Sequence, residues 1–322
     1  MLETGFWSSP DREVVMDLNA PHLHVAFLDK IISPVLAVFA PSMSGSDMVS
    51  RLQMISFLLD VGPFFLIGLL EKCRQRYHYT AILYPFLFAV LAQATGIGKL
   101  AGVYFFIDLF WSPVTKFPTV ESSRVPKSTV SAVFAAMLVV YYPATLGSYF
   151  APTLERRVQF NALWQLFPIL VVLVQVLLMA FPSNESTKTN PRPEIKSIRF
   201  AVVLLSGVAA IAFQYVRAST PNGVSMIDIF FPTDLDVPAL SFETAVRRML
   251  QYDQIFWVLT AYYWLLLSFR DLQLRGVQVS WMRVLGLLTV GTVGVGPGAT
   301  FAVGWLFRED MIVECLEGVK RD

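Results

Sequence analysis

Residues 100–111 read LAGVYFFIDLFW, an apolar run with a single carboxylate, Asp108, near its far end. The segments 52–70 and 79–94 precede it and 130–150 follows, all too long and too apolar to be surface helices of a small soluble domain. An acid in such surroundings is costly unless it is paired, neutral or open to a cavity, so Asp108 is the first candidate for chemistry. The run is also short enough for a re-entrant segment, which would put Asp108 at headgroup depth beside water.

Composition points the same way. Of 322 residues, 55% are hydrophobic and 15% charged, with 26 Phe and a mean hydropathy of +0.57; an ordinary soluble domain is about a quarter charged. The expected fold is an all-α polytopic membrane protein. A formal net charge of +1 provides no basic face for nucleic acid. Two cysteines, Cys73 and Cys315, and three histidines, His22, His24 and His78, show no metal-ligand spacing, so neither a metal nor a cofactor is expected. There is no CxxC, no GxGxxG and no Walker A sequence. The opening MLETGFWSSPDREVVMD lacks a basic region leading into an apolar core and cleavage site. Insertion is therefore expected to use the first membrane segment itself, which suggests the endoplasmic reticulum.

Along the chain, 1–51 is a polar and interfacial or membrane segment. Its apolar piece 25–40, broken by Asp29, Lys30 and Pro34, could span, re-enter or lie at the interface. Eight apolar segments follow: 52–70, 79–94, 100–111, 129–150, 162–181, 200–215, 254–269 and 282–307. The expectation is thus about eight transmembrane helices, with 25–40 as a possible ninth. Residues 52–216 form the first part of the bundle and 254–322 the last part with a short polar tail. The intervening 217–253 is a long acidic loop or lid. Basic residues at 72–76, 116–127, 188–199 and 270–283 then fall on one side, the expected cytoplasmic face.

Four acids stand out. Asp108 and Asp60 lie inside apolar segments, Glu71 at the end of one, and Asp253 at the entry of another. Asp60 is followed by Gly62 and Pro63, and a proline kink is a common way to turn a side chain toward a cavity. Asp60 and Glu71, eleven residues apart, share a helical face but lie about 16 Å apart along it. No aspartate cluster of the DDxxD kind is present, which argues against magnesium-assisted loss of pyrophosphate. What remains is acid catalysis in an oily chamber. A carboxylic acid kept out of water can protonate an epoxide oxygen or an olefin, and aromatic faces stabilise the resulting cation. Tyr104, Phe105, Trp111, Tyr142, Trp257 and Tyr263 are the candidate pocket aromatics, with Phe106, Tyr141, Tyr262 and Trp264 nearby in sequence. Packing and interfacial-belt roles compete for all of them. Gln93, Gln165 or Gln175 could hold a substrate hydroxyl or carboxyl group.

The phrases FLLDVGPFFLIGLLEKCRQ (57–75), AQATGIGKLAGVYFFIDLFWSP (92–113), YYPATLGSYFAP (141–152) and VGPGATF (295–301) carry a resemblance. They resemble the fungal membrane-bound terpene cyclases of ascofuranone-type meroterpenoid pathways. The likeness runs over most of the chain from residue 57 onwards. It implies an intramolecular lyase or isomerase that folds a farnesylated aromatic polyketide and opens its terminal epoxide, or protonates an olefin, without metal or pyrophosphate. The implied partners are that farnesylated phenolic or aryl epoxide substrate, membrane lipid and an upstream epoxidase in the same membrane. No acid is carried over from that family; on the residues of this chain alone Asp108 is the leading proton donor, Asp60 its partner or alternative, and Glu71 and Asp253 stand behind them. A transporter of small amphipathic metabolites is the main rival, because proline- and glycine-interrupted spans suit alternating access. A receptor or scaffold would leave Asp60 and Asp108 structural.

Overall fold

The computed structural model describes residues 6–10, 14–74, 83–111, 123–180, 193–233 and 241–317. Asp47 starts its central helix by accepting the backbone N–H of Ser50 at 3.1 Å. That helix, α2 (Met48–Lys72), is buried on nearly every side, as expected of an element that is hydrophobic all round. Before it come a short antiparallel hairpin of β1 (Phe6–Ser8) and β2 (Val15–Asp17) and helix α1 (Ala26–Ser44). After it come α3 (Leu83–Thr95) and α4 (Ile97–Trp111), hinged at Gly96, whose φ of +92° suits glycine.

The next long apolar stretch is α5 (Lys127–Ala136), a π-turn over Met137–Tyr141 and α6 (Tyr142–Phe150). Pro143, which lacks an N–H, sits in the first turn of α6, and the wide turn just before it takes up the irregularity. This turn aims Tyr141 and Tyr142 at α2: the Tyr141 hydroxyl donates to the Leu58 carbonyl, and Tyr142 packs over Gly62. Helices α7 (Leu154–Gln165) and α8 (Phe167–Met179) meet at a 64° bend beside Pro168. Then follow α9 (Pro193–Ala218), the short α10 (Met226–Phe230), the 33-residue α11 (Phe242–Leu274), α12 (Trp281–Val295) and α13 (Pro297–Glu317).

The all-α expectation holds apart from the small hairpin. The expectation of eight spans does not. Among the described residues four helices are long and apolar enough to cross a membrane, α1, α2, the α5–α6 stretch and α9, or five if the bent α7–α8 pair is one span. The physical reason is length and interruption. Within the described residues, α3 and α4 cover 13 and 15 residues, about 20 Å and 22 Å, against a hydrocarbon core of about 30 Å; residues 75–82 and 112–122, next to them in the chain, lie outside the described residues. The 282–307 segment breaks at Gly296 (φ +91°) into α12 and α13. Helix α11 is long, but its uncharged stretch between Asp253 and Arg270 covers only residues 254–269. The undecided segment 25–40 is helical and long enough to span.

Apolar side chains also point outward on several helices. Phe106 and Phe110 on α4, Ile169 and Leu173 on α8, Phe200 and Ile211 on α9, and Val290 and Val293 on α12 are all exposed. So much outward apolar surface suits lipid rather than water, and the molecule is read as a membrane protein. The 217–253 linker is shorter as a loop than expected, since Ser241 caps α11 by accepting the Thr244 N–H. Its acidic residues Asp234 and Asp236 lie outside the described residues, as do 112–122 and 181–192.

Candidate active site

Helices α2, α4 and α11 enclose a chamber of about 760 Å³, completed by α1, α3 and residues of α7, α8 and α13. Its wall on α2 is a repeating stripe: Phe57, Val61, Phe64, Gly68 and Glu71 all face it, at the three- and four-residue spacings of one helical face. On α11, Trp257 and Trp264, seven residues apart, supply the opposite stripe. Phe301 of α13 closes the gap between them. Phe64 stacks on Phe301 with centroids 3.8 Å apart and lies 4.0 Å from Trp257. Trp264 continues the surface to Phe105 at 5.5 Å, and Phe105 to Tyr104 at 5.2 Å.

Charged groups sit at the two ends. At one end, the Lys72 ammonium donates to Asp108 Oδ1 and the Trp264 indole donates to Asp108 Oδ2 at 2.7 Å. Lys72 and Asp108 are both buried. Beside them, Glu71 accepts two hydrogen bonds from Arg74 at 2.8 Å, one from Arg308 at 2.6 Å and one from the Trp305 indole at 2.8 Å. Glu309 bonds Arg74 at 2.6 Å and Arg308 at 2.9 Å, so two acids and two bases balance. At the other end, Asp253 accepts the backbone N–H groups of Gly98 at 2.8 Å and Ile97 at 3.1 Å. It caps the start of α4, where the helix dipole favours negative charge. Asp253 and Asp108 thus stand at the two ends of α4, about 16 Å apart along its axis.

The four sequence candidates separate. Asp108, Glu71 and Asp253 line the chamber; Asp60 is not among its lining residues. Asp60 is fully buried and accepts the Gly298 N–H at 3.0 Å and the Ser56 hydroxyl at 3.4 Å. Asp60 and Glu71 do share a face, and that face meets α13: Gly298 touches one, Trp305 and Arg308 the other. Of the aromatic candidates, Tyr104, Phe105 and Trp257 line the chamber. Tyr142 is buried against Gly62 instead, Tyr263 is 63% exposed, and the Trp111 side chain lies outside the described residues. Gln93 is at the chamber wall.

Sequence reasoning missed Lys72, Phe64, Phe57 and Phe301. The seven-residue spacings Phe57–Phe64–Glu71 and Trp257–Trp264 were the available signal for the aromatics. Lys72 and Arg74 read in the sequence as part of a cytoplasmic basic loop, yet both are buried in ion pairs.

These features define a helical membrane protein built around an aromatic chamber whose end carries buried charge pairs. The chain belongs to the CtvD-domain family, whose model matches residues 15–313. It is 27% identical over 278 residues, 85% of this chain, to the FAD-dependent monooxygenase verC1 of Penicillium polonicum. It is 22% identical over 250 residues to the terpene cyclase ascI of Acremonium egyptiacum, covering 74% of this chain and 65% of that protein. It is also 22% identical over 282 residues to a terpene cyclase of Pyrenophora dematioidea, covering 87% and 80%. The chain spans about a third of the length of the monooxygenase relatives. No solved structure matches it.

Proposed function

We propose that this chain is a membrane terpene cyclase of fungal meroterpenoid biosynthesis. Its substrate would be a farnesylated aromatic polyketide carrying a terminal epoxide or olefin, and its home the endoplasmic reticulum membrane. The observation that carries the reading is Asp108, a carboxyl group facing an apolar chamber with a continuous aromatic wall beside it. The likeness to two terpene cyclases over most of the chain supports the same reading.

The chemistry follows from that placement. The Asp108 end of the chamber delivers a proton to the epoxide oxygen; the C–O bond breaks with its electron pair on oxygen, leaving a tertiary cation. Chain olefins attack this cation in turn. The ring faces of Trp264, Phe301, Phe64 and Trp257 offer quadrupolar attraction to the migrating charge, while their bulk keeps out water that would quench it. Loss of a proton then ends the sequence as a net isomerisation. A chamber about 16 Å long between Asp253 and Asp108 suits a fifteen-carbon chain, with the aryl head toward the Asp253 end. An epoxidase in the same membrane would supply the substrate, and the monooxygenase relatives fit an oxidative step of that class beside this one.

The test uses purified protein in detergent with a farnesylated phenol and its terminal epoxide, chelator present. Cyclised product from wild type, lost in folded Asp108→Asn, supports the reading. Turnover that survives Asp108→Asn removes Asp108 from its role, and saturable transport of the same compounds without product would favour a carrier.

A further inference from the structure

We infer that Lys72 stores the transferable proton of this site and delivers it through Asp108. The inference rests on the cyclase reading above and goes beyond it by giving the chamber acid a proton source. In the ion pair of Lys72 and Asp108, the proton that must reach the epoxide oxygen sits on the lysine Nζ. Both side chains are buried, at 2% and 4% exposure, so bulk water does not replenish the carboxyl group directly. Asp108 faces the chamber while Lys72 is not among its lining residues, which makes the lysine a positioning residue behind the acid.

Among the described residues, the charges beside the pair form a second network of their own. Glu71 and Arg74 flank Lys72 on or just after α2, and Arg308 and Glu309 reach Glu71 and Arg74 from α13. These four bond one another, two acids against two bases. Arginine cannot give up a proton in a protein, whereas lysine readily can when buried. Among the described charges at this end, Lys72 is therefore the cation able to act as a donor.

The step balances. Lys72 Nζ–H passes its proton to Asp108 Oδ1, making a neutral carboxylic acid, and Asp108 then gives up that one proton to the epoxide oxygen, leaving neutral amine, carboxylate and a tertiary cation bearing a new hydroxyl. When the ring system loses its final proton, the electron pair of the broken C–H bond forms the product olefin. That proton returns to the pair, restoring the ammonium. No external acid or base is consumed.

The experiment compares wild type with Lys72→Arg and Lys72→Ala in detergent, using the epoxide substrate. Lys72→Arg keeps the positive charge and its hydrogen bond to Asp108, so KM is expected within about threefold of wild type, with kcat down about 100-fold or more. Ethylamine is expected to restore Lys72→Ala, and guanidinium is not. Wild-type kcat is expected to stay level across roughly pH 6 to 8, where a lone solvated carboxylic acid is almost fully ionised. This last reading needs no variant. Retention of wild-type kcat in Lys72→Arg, equal rescue by guanidinium, or a tenfold loss of kcat per pH unit over that range would each overturn the store. A wild type inert toward both substrates would instead overturn the cyclase reading beneath it.

Discussion

The Trp264 indole donates to Asp108 at 2.7 Å, joining the chamber's acid to its aromatic wall. The bond fixes the carboxyl orientation and places the indole face beside the point where charge would develop. Arg308, 5.7 Å from the ring centroid of the same indole, holds the ring from behind. Trp264→Phe keeps a ring but removes the donor. The expected result is a fall in kcat of about 10- to 100-fold with little change in KM, the size of one lost hydrogen bond to a charged group. Unchanged kcat would show that the indole N–H does not position Asp108.

Asp108→Asn should lower product formation by about 10²- to 10⁴-fold, the usual contribution of a general acid. Asp60→Asn should retain most activity, because its carbonyl oxygen can still accept from Gly298. Product measured per folded protein separates the two, and a reversed order would move the acid to Asp60.

Gly298 packs directly against Asp60 where α13 meets α2. A Cβ added there would lie 2.4 Å from Asp60 Oδ1 and 2.6 Å from the Asp60 Cα. Backbone cannot move aside as a flexible side chain can, so Gly298→Ala should cost about 1–3 kcal/mol. Thermal unfolding in detergent would register this, and an unshifted midpoint would mean the helices part freely here.

Glu71 answers to two arginines and an indole. Glu71→Gln leaves the buried Arg74 and Arg308 with Glu309 as their remaining carboxylate in this network, and breaking a buried pair from one side costs about 3–5 kcal/mol. Loss of activity in this variant should track loss of folded protein. A stable but inactive Glu71→Gln would assign Glu71 to chemistry.

Phe64 lies in face-to-face contact with Phe301 at the middle of the chamber. Phe64→Leu should keep substrate consumption and divert product toward water-quenched alcohols, since a cation over an aromatic face is stabilised by about 0.5–2 kcal/mol. Product profiling by mass spectrometry would detect the shift; an unaltered profile would make Phe64 a packing residue.

Much of this was written in the chain. The apolar segments, the all-helical architecture and the acids inside them follow from composition and spacing, because lipid and a dry core both demand apolar side chains and internally bonded backbone. The near heptad recurrence of Phe57, Phe64 and Glu71 already defines one face of α2. Span number was not legible, because hydropathy does not register a hinge: the turn at Leu166 and Gly296 each break an apolar run that reads as continuous.

Which acid meets the chamber was decided only by the tertiary structure. Asp60 and Glu71 share a helical face, yet α13 brings a backbone N–H to Asp60 and an arginine and a tryptophan to Glu71. Lys72 reads as a solvated loop cation until α4 folds back and sets Asp108 against it. Sequence determines which groups must avoid lipid. Their partners come from helices up to 238 residues away, and buried charge takes its character from its partner.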